Sequence, residues 1–157
     1  MTISISLGAL GDCWLVSAFT LVAERPDILY KIFESGKYSM DGFYRLRLCI
    51  DGNWKDVILD DSLPCLNGTL AFGSARRNQL WMPLLEKAFA KLRGSYAKLS
   101  GGYIADALAI LTGAPCQTHV IDEKEAEKIW EQILIAKYPF HLINSLLILV
   151  IAGAINR

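Results

Sequence analysis

A chain of 157 residues has room for one domain of ordinary size and can bury a real core. Its 16 basic and 16 acidic residues cancel, which argues against a nucleic-acid or anionic-membrane partner held by bulk charge. Its four cysteines, Cys13, Cys49, Cys65 and Cys116, contain no CxxC pair, so structural zinc is not expected, and a chain this long needs no disulfide scaffold. No charged segment followed by an apolar one opens the chain, and a reducing, cytoplasmic compartment is expected.

Residues 1–10 read as irregular. From Asp12 to about Ala23 nearly every turn is apolar (Trp14, Leu15, Val16, Ala18, Phe19, Leu21, Val22), which predicts a buried helix with Asp12 as its N-cap. Pro26 and Asp27 open a second short helix through about Phe33, with Ile28, Leu29, Ile32 and Phe33 as its apolar stripe. Between Gly42 and Asp61 the period becomes two. Tyr44, Leu46 and Leu48 alternate with Arg45, Arg47 and Cys49, Asp51-Gly52-Asn53 forms a turn, and Trp54 to Asp60 returns as a second strand. Gln79 to about Leu92 is the strongest helix, with Leu80, Leu84, Leu85, Ala88, Phe89 and Leu92 on one face and Gly94 as its stop. Ile104 to Leu111 is a further helix, and Asp122 to about Lys137 is a charged, amphipathic one with Ile129, Ile133 and Leu134 on its apolar side.

The tail differs. Leu142 to Ile155 is almost wholly apolar over 14 residues, short of the roughly 18–20 that span a bilayer. A buried helix or strand is the plain reading. An alternative or mis-spliced end is a second, and a membrane-attached interaction protein a third.

Cys13 is the candidate nucleophile. A cysteine that attacks a peptide carbonyl needs its thiolate favoured, a base, and donors for the oxyanion. A position at the start of a helix offers the positive end of the helix dipole. Gly8, Ala9 and Gly11 leave room for a substrate backbone, and Trp14 is placed to roof the site. The competing reading is a small core residue, which is the reading kept for Cys49, Cys65 and Cys116.

Leu10-Gly11-Asp12-Cys13-Trp14-Leu15 resembles the nucleophile motif of the calpains, thiol proteases of the papain-like superfamily. Trp54 with Val57-Ile58-Leu59-Asp60-Asp61-Ser62-Leu63-Pro64 is similar to the calpain W…V.VDD.LP strand. Leu80 to Leu92, with Gly94-Ser95-Tyr96 and Gly101-Gly102, resembles the family's LW.PLLEKAYAKL.GSY…GG helix and turn, and Thr112-Gly113-Ala114-Pro115 follows in place. These motifs cover about residues 8–137. Val22 to Pro26 and Thr112 to Cys116 are most similar to the non-classical, small-optic-lobes branch.

The resemblance implies an α+β fold: the mainly helical first lobe of a papain-like cysteine protease, with a small antiparallel hairpin or sheet, over residues 1–137, followed by a divergent apolar tail over 138–157. It implies an intracellular, calcium-dependent-type cysteine endopeptidase with Cys13 as nucleophile and protein substrates, and no nucleic-acid or membrane partner. The alternative is a non-catalytic, calpain-like binding or regulatory fragment. The family's histidine and asparagine belong to a second lobe, which is expected to be missing from this chain.

Three departures stand out. The family's oxyanion-holding glutamine, six residues before the cysteine, is Leu7 here; loss of one such donor costs about 10²–10³ in rate, although the Cys13 N–H remains. The only histidines are His119 and His141. His141 lies 128 residues after Cys13 with Asn144 close behind, near the roughly 130–150 of papain-like enzymes, but the family's histidine sits in a Gly-His-Ala/Ser-Tyr strand and its asparagine lies much further on. The acidic positions with which classical calpains bind calcium in this lobe match Gln79 and, approximately, Ser4, neither of them an anion. Asp60 and Asp61 are the remaining oxygen ligands to consider, against a plain reading as a solvated turn. No cofactor and no metal is therefore expected.

Overall fold

The structure is a computed structural model that describes residues 5, 6, 10–34, 38–75, 79–116, 118 and 126–137. Its backbone contacts divide the chain into two units, residues 1–115 and 116–157.

The first unit is built around α1 (Cys13–Ala23). Trp14, Leu15, Val16, Ala18, Phe19, Val22 and Ala23 are all buried, which leaves Cys13 and Ser17, one turn apart, on its open strip. Such a helix is stable only if other elements close over it. The short α2 (Pro26–Ile32) has proline in its first turn and packs Ile28 and Ile32 inward. The longer α3 (Trp81–Arg93) contributes Met82, Leu84, Leu85, Ala88 and Phe89, and α4 (Ile104–Thr112) contributes Ala107, Leu108 and Leu111. Phe19 of α1 meets Phe89 of α3 edge to face, with ring centroids 5.7 Å apart. Both α3 and α4 end on a glycine of positive φ, Gly94 at 91° and Gly113 at 70°, the conformation only glycine adopts without strain.

Six short strands form antiparallel pairs among the described residues. The main pair is the hairpin of β2 (Phe43–Ile50) and β3 (Asn53–Asp60), in register Leu46 to Val57 and Tyr44 to Leu59. Asp51 and Gly52 join the strands with φ of 52° and 75°, the two left-handed residues of the tight hairpin turn. Tyr44, Leu46, Leu48, Val57 and Leu59 face the core, while Arg45, Arg47 and Ile58 face out. The minor pairs are β1 (Ile5–Ser6) with β6 (Ser74–Ala75), and β4 (Cys65–Leu66) with β5 (Thr69–Leu70). The fold is α+β and mainly helical, with small antiparallel strand pairs.

In the second unit the described helix is α5 (Ala126–Lys137), where the charged segment predicts one. The apolar sides of Ile133 and Leu134, and the tail from residue 138, lie outside the described side chains and residues. No helix among the described residues is long and apolar enough to cross a membrane.

Two placements correct the reading from periodicity. Cys49, which alternates with the inward-facing residues of β2, is nevertheless buried beside Gly113, as its reading as a small core residue expects, so both faces of β2 are covered at that point. Leu92, assigned to the inner face of α3, is 38% exposed because the helix runs past the edge of the core there. Truncating Phe89→Ala should cost about 3–5 kcal/mol, whereas Leu92→Ala should cost about 0.5 kcal/mol; urea denaturation of the two variants measures both.

Candidate functional site

Cys13 is the first residue of α1, and its thiol is exposed. The amides of a helix's first turn have no intrahelical acceptor, so the N–H of Cys13 is placed where it can meet a developing negative charge. The Cys13 carbonyl accepts a hydrogen bond from Ser17 Oγ at 2.7 Å, one turn along the same open strip. Asp12's carbonyl closes the turn by accepting from Leu15 N at 2.8 Å and Val16 N at 3.1 Å.

The approach to Cys13 is shaped by glycine. Gly11 has φ +71°, and a side chain there would press on Ser100 Oγ. Its carbonyl accepts from the N–H of Gly101 at 3.2 Å, which ties the loop to the 100–102 turn. Trp14 does not roof the thiol as its position after Cys13 suggests. It is buried: its Nε1 donates to the Leu99 carbonyl at 2.8 Å, and its ring lies so close to Gly102 that a Cβ there would collide with it. The Arg93 guanidinium covers the ring, 5.5 Å from its centroid. Trp14 therefore fixes the loop from below and leaves the thiol's solvent side open.

Asp12 is also placed differently from the sequence reading. It occupies the N-cap position, yet its side chain makes no capping bond. It is 1% exposed, and neither carboxyl oxygen accepts from an N–H or O–H donor. The side chain is directed at α3, where Glu86 is 2% exposed. Gly73 N donates to Glu86 Oε1 at 3.2 Å. Burial pushes the Glu86 carboxyl up to about 8; Asp12 adds to the rise, and the Gly73 N–H opposes it. Tyr96 lies near the same pocket, stacked on Phe72 at 4.6 Å and pushed up to about 12 by burial and by the Glu86 and Asp60 charges. Glu86 carries no signal by itself, because a glutamate amid helix-forming residues reads as surface.

On the other side of α3, Lys87 Nζ donates to the Asp60 carbonyl at 3.0 Å, to Asp60 Oδ1 at 2.7 Å and to the Ser62 carbonyl at 2.7 Å. Lys87, then Ser62, whose N–H also donates to Oδ1 at 2.9 Å, hold the Asp60 carboxyl well below the usual range. Asp60 is thus engaged by a lysine through Oδ1. Gln79 Oε1 accepts from Trp81 Nε1 at 3.0 Å. An amide oxygen with no anion beside it does not fit a hard divalent cation. No group of three metal-ligating side chains occurs among the described residues.

Cys65, in the short strand β4, and Cys116 are exposed, so the reading as small core residues fails for both and holds for buried Cys49; none of the four cysteines is in a disulfide. Ser4, Leu7, His119, His141 and Asn144 lie outside the described residues.

The raised Glu86 carboxyl has a consequence for stability. Between its ordinary value of 4.5 and about 8 the folded chain holds a proton that the unfolded chain has released. Stability is fully present below the lower value, falls as pH rises through the interval by up to about 1.4 kcal/mol per pH unit, and levels off above it. Urea midpoints measured across this range should fall for the native chain and flatten for Glu86→Gln.

The model described as calpain family cysteine protease matches residues 1–149. The chain is 39% identical over 135 residues to calpain-type cysteine protease ADL1 of Oryza sativa subsp. japonica, which covers 81% of this chain and 6% of that protein. It is 40% identical over 116 residues to calpain-10 of Mus musculus, covering 70% and 17% of the two. With the calpain-1 catalytic subunit of Mus musculus it shares 38% over 134 residues, covering 83% and 19%. These plant and animal relatives are alike in identity and do not single out one branch. The chain spans less than a fifth of the length of each of these three relatives. With this match over most of its length, the chain belongs to the calpain family of cysteine proteases.

Proposed function

We propose that Cys13 is the nucleophile of a peptide-bond-hydrolysing thiol protease site that acts on protein substrates. The supporting observation is the exposed thiol on the first residue of a helix buried on its other sides. In such chemistry the Cys13 sulfur attacks the peptide carbonyl carbon as its proton passes to an imidazole, and the oxyanion is held by backbone donors such as the Cys13 N–H. The amine leaves with the proton, and water then hydrolyses the thioester. This chain supplies the nucleophile half. Neither histidine stands in the Gly-His-Ala/Ser-Tyr setting that the family resemblance implies, so the imidazole comes from a second lobe and the chain alone hydrolyses peptides little or not at all. Residues 1–137 act as the nucleophile lobe, and residues 138–157 lie outside it.

The second reading, a calpain-like fragment that binds without cleaving, is favoured by Leu7 in place of the glutamine donor. A thiol-directed epoxide at neutral pH separates the two. Fast, stoichiometric labelling of Cys13, with exposed Cys65 and Cys116 slow and buried Cys49 silent, supports the nucleophile. Equal, slow labelling of the exposed thiols supports the binding fragment.

Calcium plays no part in this reading, because Gln79 supplies no anion and Asp60 is held by Lys87. Titration calorimetry with Ca²⁺ should show no sub-micromolar binding.

A further inference from the structure

We propose that Asp12 and Glu86 are positioning residues for Cys13: one proton shared between their carboxyl groups holds the turn at Gly11–Cys13 against α3 and presents the thiol at the open end of α1. This rests on the reading of Cys13 as nucleophile.

The Asp12 oxygens are the starting point. Both are buried, and neither has an N–H or O–H donor. An aspartate at a helix start ordinarily accepts from an amide of its own helix; this one has backbone angles of −100° and 26° and directs its carboxyl into the core instead. A buried carboxylate without a donor is costly. The group facing it is a second buried carboxyl, that of Glu86. Two ionised carboxylates in one buried site repel, but a single proton between them makes one the donor and the other the acceptor. One charge then remains on the pair, and the Gly73 N–H supplies a donor to Glu86 Oε1.

The surroundings supply no competing counter-charge among the described residues. Tyr96, from the 3-10 turn Tyr96–Leu99, is a phenol pushed up to about 12 and stays neutral while the pair titrates. Lys87 is committed to Asp60 and Ser62. Arg93 sits over the Trp14 ring.

The link to Cys13 is covalent and short. Asp12's carbonyl is bonded to the α1 amides while its carboxyl is bonded to α3 through the shared proton, so the peptide that carries the Cys13 N–H is held at both ends. Gly11 reverses the chain into this pocket with its positive φ. Loss of the proton places two negative charges in one buried site, and the turn moves away from α3, taking Cys13 with it.

The test uses the full 157-residue chain, with ¹³C at the aspartate and glutamate carboxyl carbons, titrated by NMR from about pH 4 to about pH 10. Resonances are assigned by their loss in Asp12→Asn and Glu86→Gln. The expected result is that the Glu86 carbon shifts near pH 8 and the Asp12 carbon moves in the same step. An Asp12 carbon that is silent through the Glu86 step, or a Glu86 carbon that titrates in the ordinary carboxyl range, overturns the shared proton.

Alkylation of Cys13 by iodoacetamide at neutral pH reads the positioning role. Glu86→Gln keeps an acceptor for Gly73 and gives Asp12 a permanent N–H donor, so Cys13 should react as in the native chain. Glu86→Leu leaves Asp12 without a donor, and Cys13 should react about tenfold more slowly, with Cys65 and Cys116 unchanged. Equal Cys13 rates in folded Gln and Leu variants overturn the role. If the Leu variant does not fold, the titration of the native chain still decides whether the proton is shared. A native chain in which Cys13 reacts no faster than Cys65 refutes the nucleophile, a failure distinct from that of the carboxyl pair.

Discussion

Burial of α1 on every side but one is the constraint on which the rest of the first unit depends. An isolated eleven-residue helix is marginal in water, and this one carries seven buried residues that must be covered. α2, α3 and α4 each supply part of that cover, with Phe19 against Phe89 joining α1 to α3. The open strip follows from the same requirement, because it is where Cys13 and Ser17 reach solvent and where no element among the described residues closes over. A thiol on the first residue of a helix so tightly enclosed is held by the whole core rather than by a flexible loop, which suits a nucleophile that must meet a carbonyl carbon in one orientation.

The motifs that mark the family in the sequence are the places where these elements touch. The Gly11–Trp14 run meets the Gly101–Gly102 turn through the Gly11 carbonyl and the Trp14 ring. It meets the α3 motif at Glu86. The α3 motif meets the end of the hairpin through Lys87, and the hairpin meets the glycine after α4 where the Trp54 ring packs on Gly113, with room for no side chain. Residues far apart in the chain are thus matched in pairs, each pair joining one element to the next.

Much of this was legible from residue patterns. The helices of the first unit begin and end within two residues of where apolar period, Pro26, Gly94 and Gly113 place them, and the Asp51-Gly52 turn sets the hairpin register. These signals are local, so one segment carries each of them. What was not legible depends on partners distant in sequence. Asp12 looks like a cap because serine, threonine, asparagine and aspartate before an apolar run usually are caps; only the presence of Glu86 behind it directs its carboxyl inward. Trp14 looks like a roof for its neighbour until Leu99 and Gly102 are seen to receive it. Glu86 gave no warning, since burial of a single glutamate in an amphipathic helix follows from what packs on it rather than from its neighbours in the chain. The burial of Cys49 on the outward face of β2 is a contact of the same kind, made by the α4 terminus.

Glu86 and Lys87 are consecutive on α3, and successive helical residues point about 100° apart. One reaches the pocket behind Cys13; the other grips the end of the hairpin with three bonds. A helix held by two such grips in different directions cannot roll about its axis without breaking one of them. α3 therefore works as a key with two teeth. A one-residue insertion or deletion before Glu86 that left α3 helical and apolar would still turn both teeth out of their locks at once, and the hairpin and the turn before Cys13 would lose their common reference.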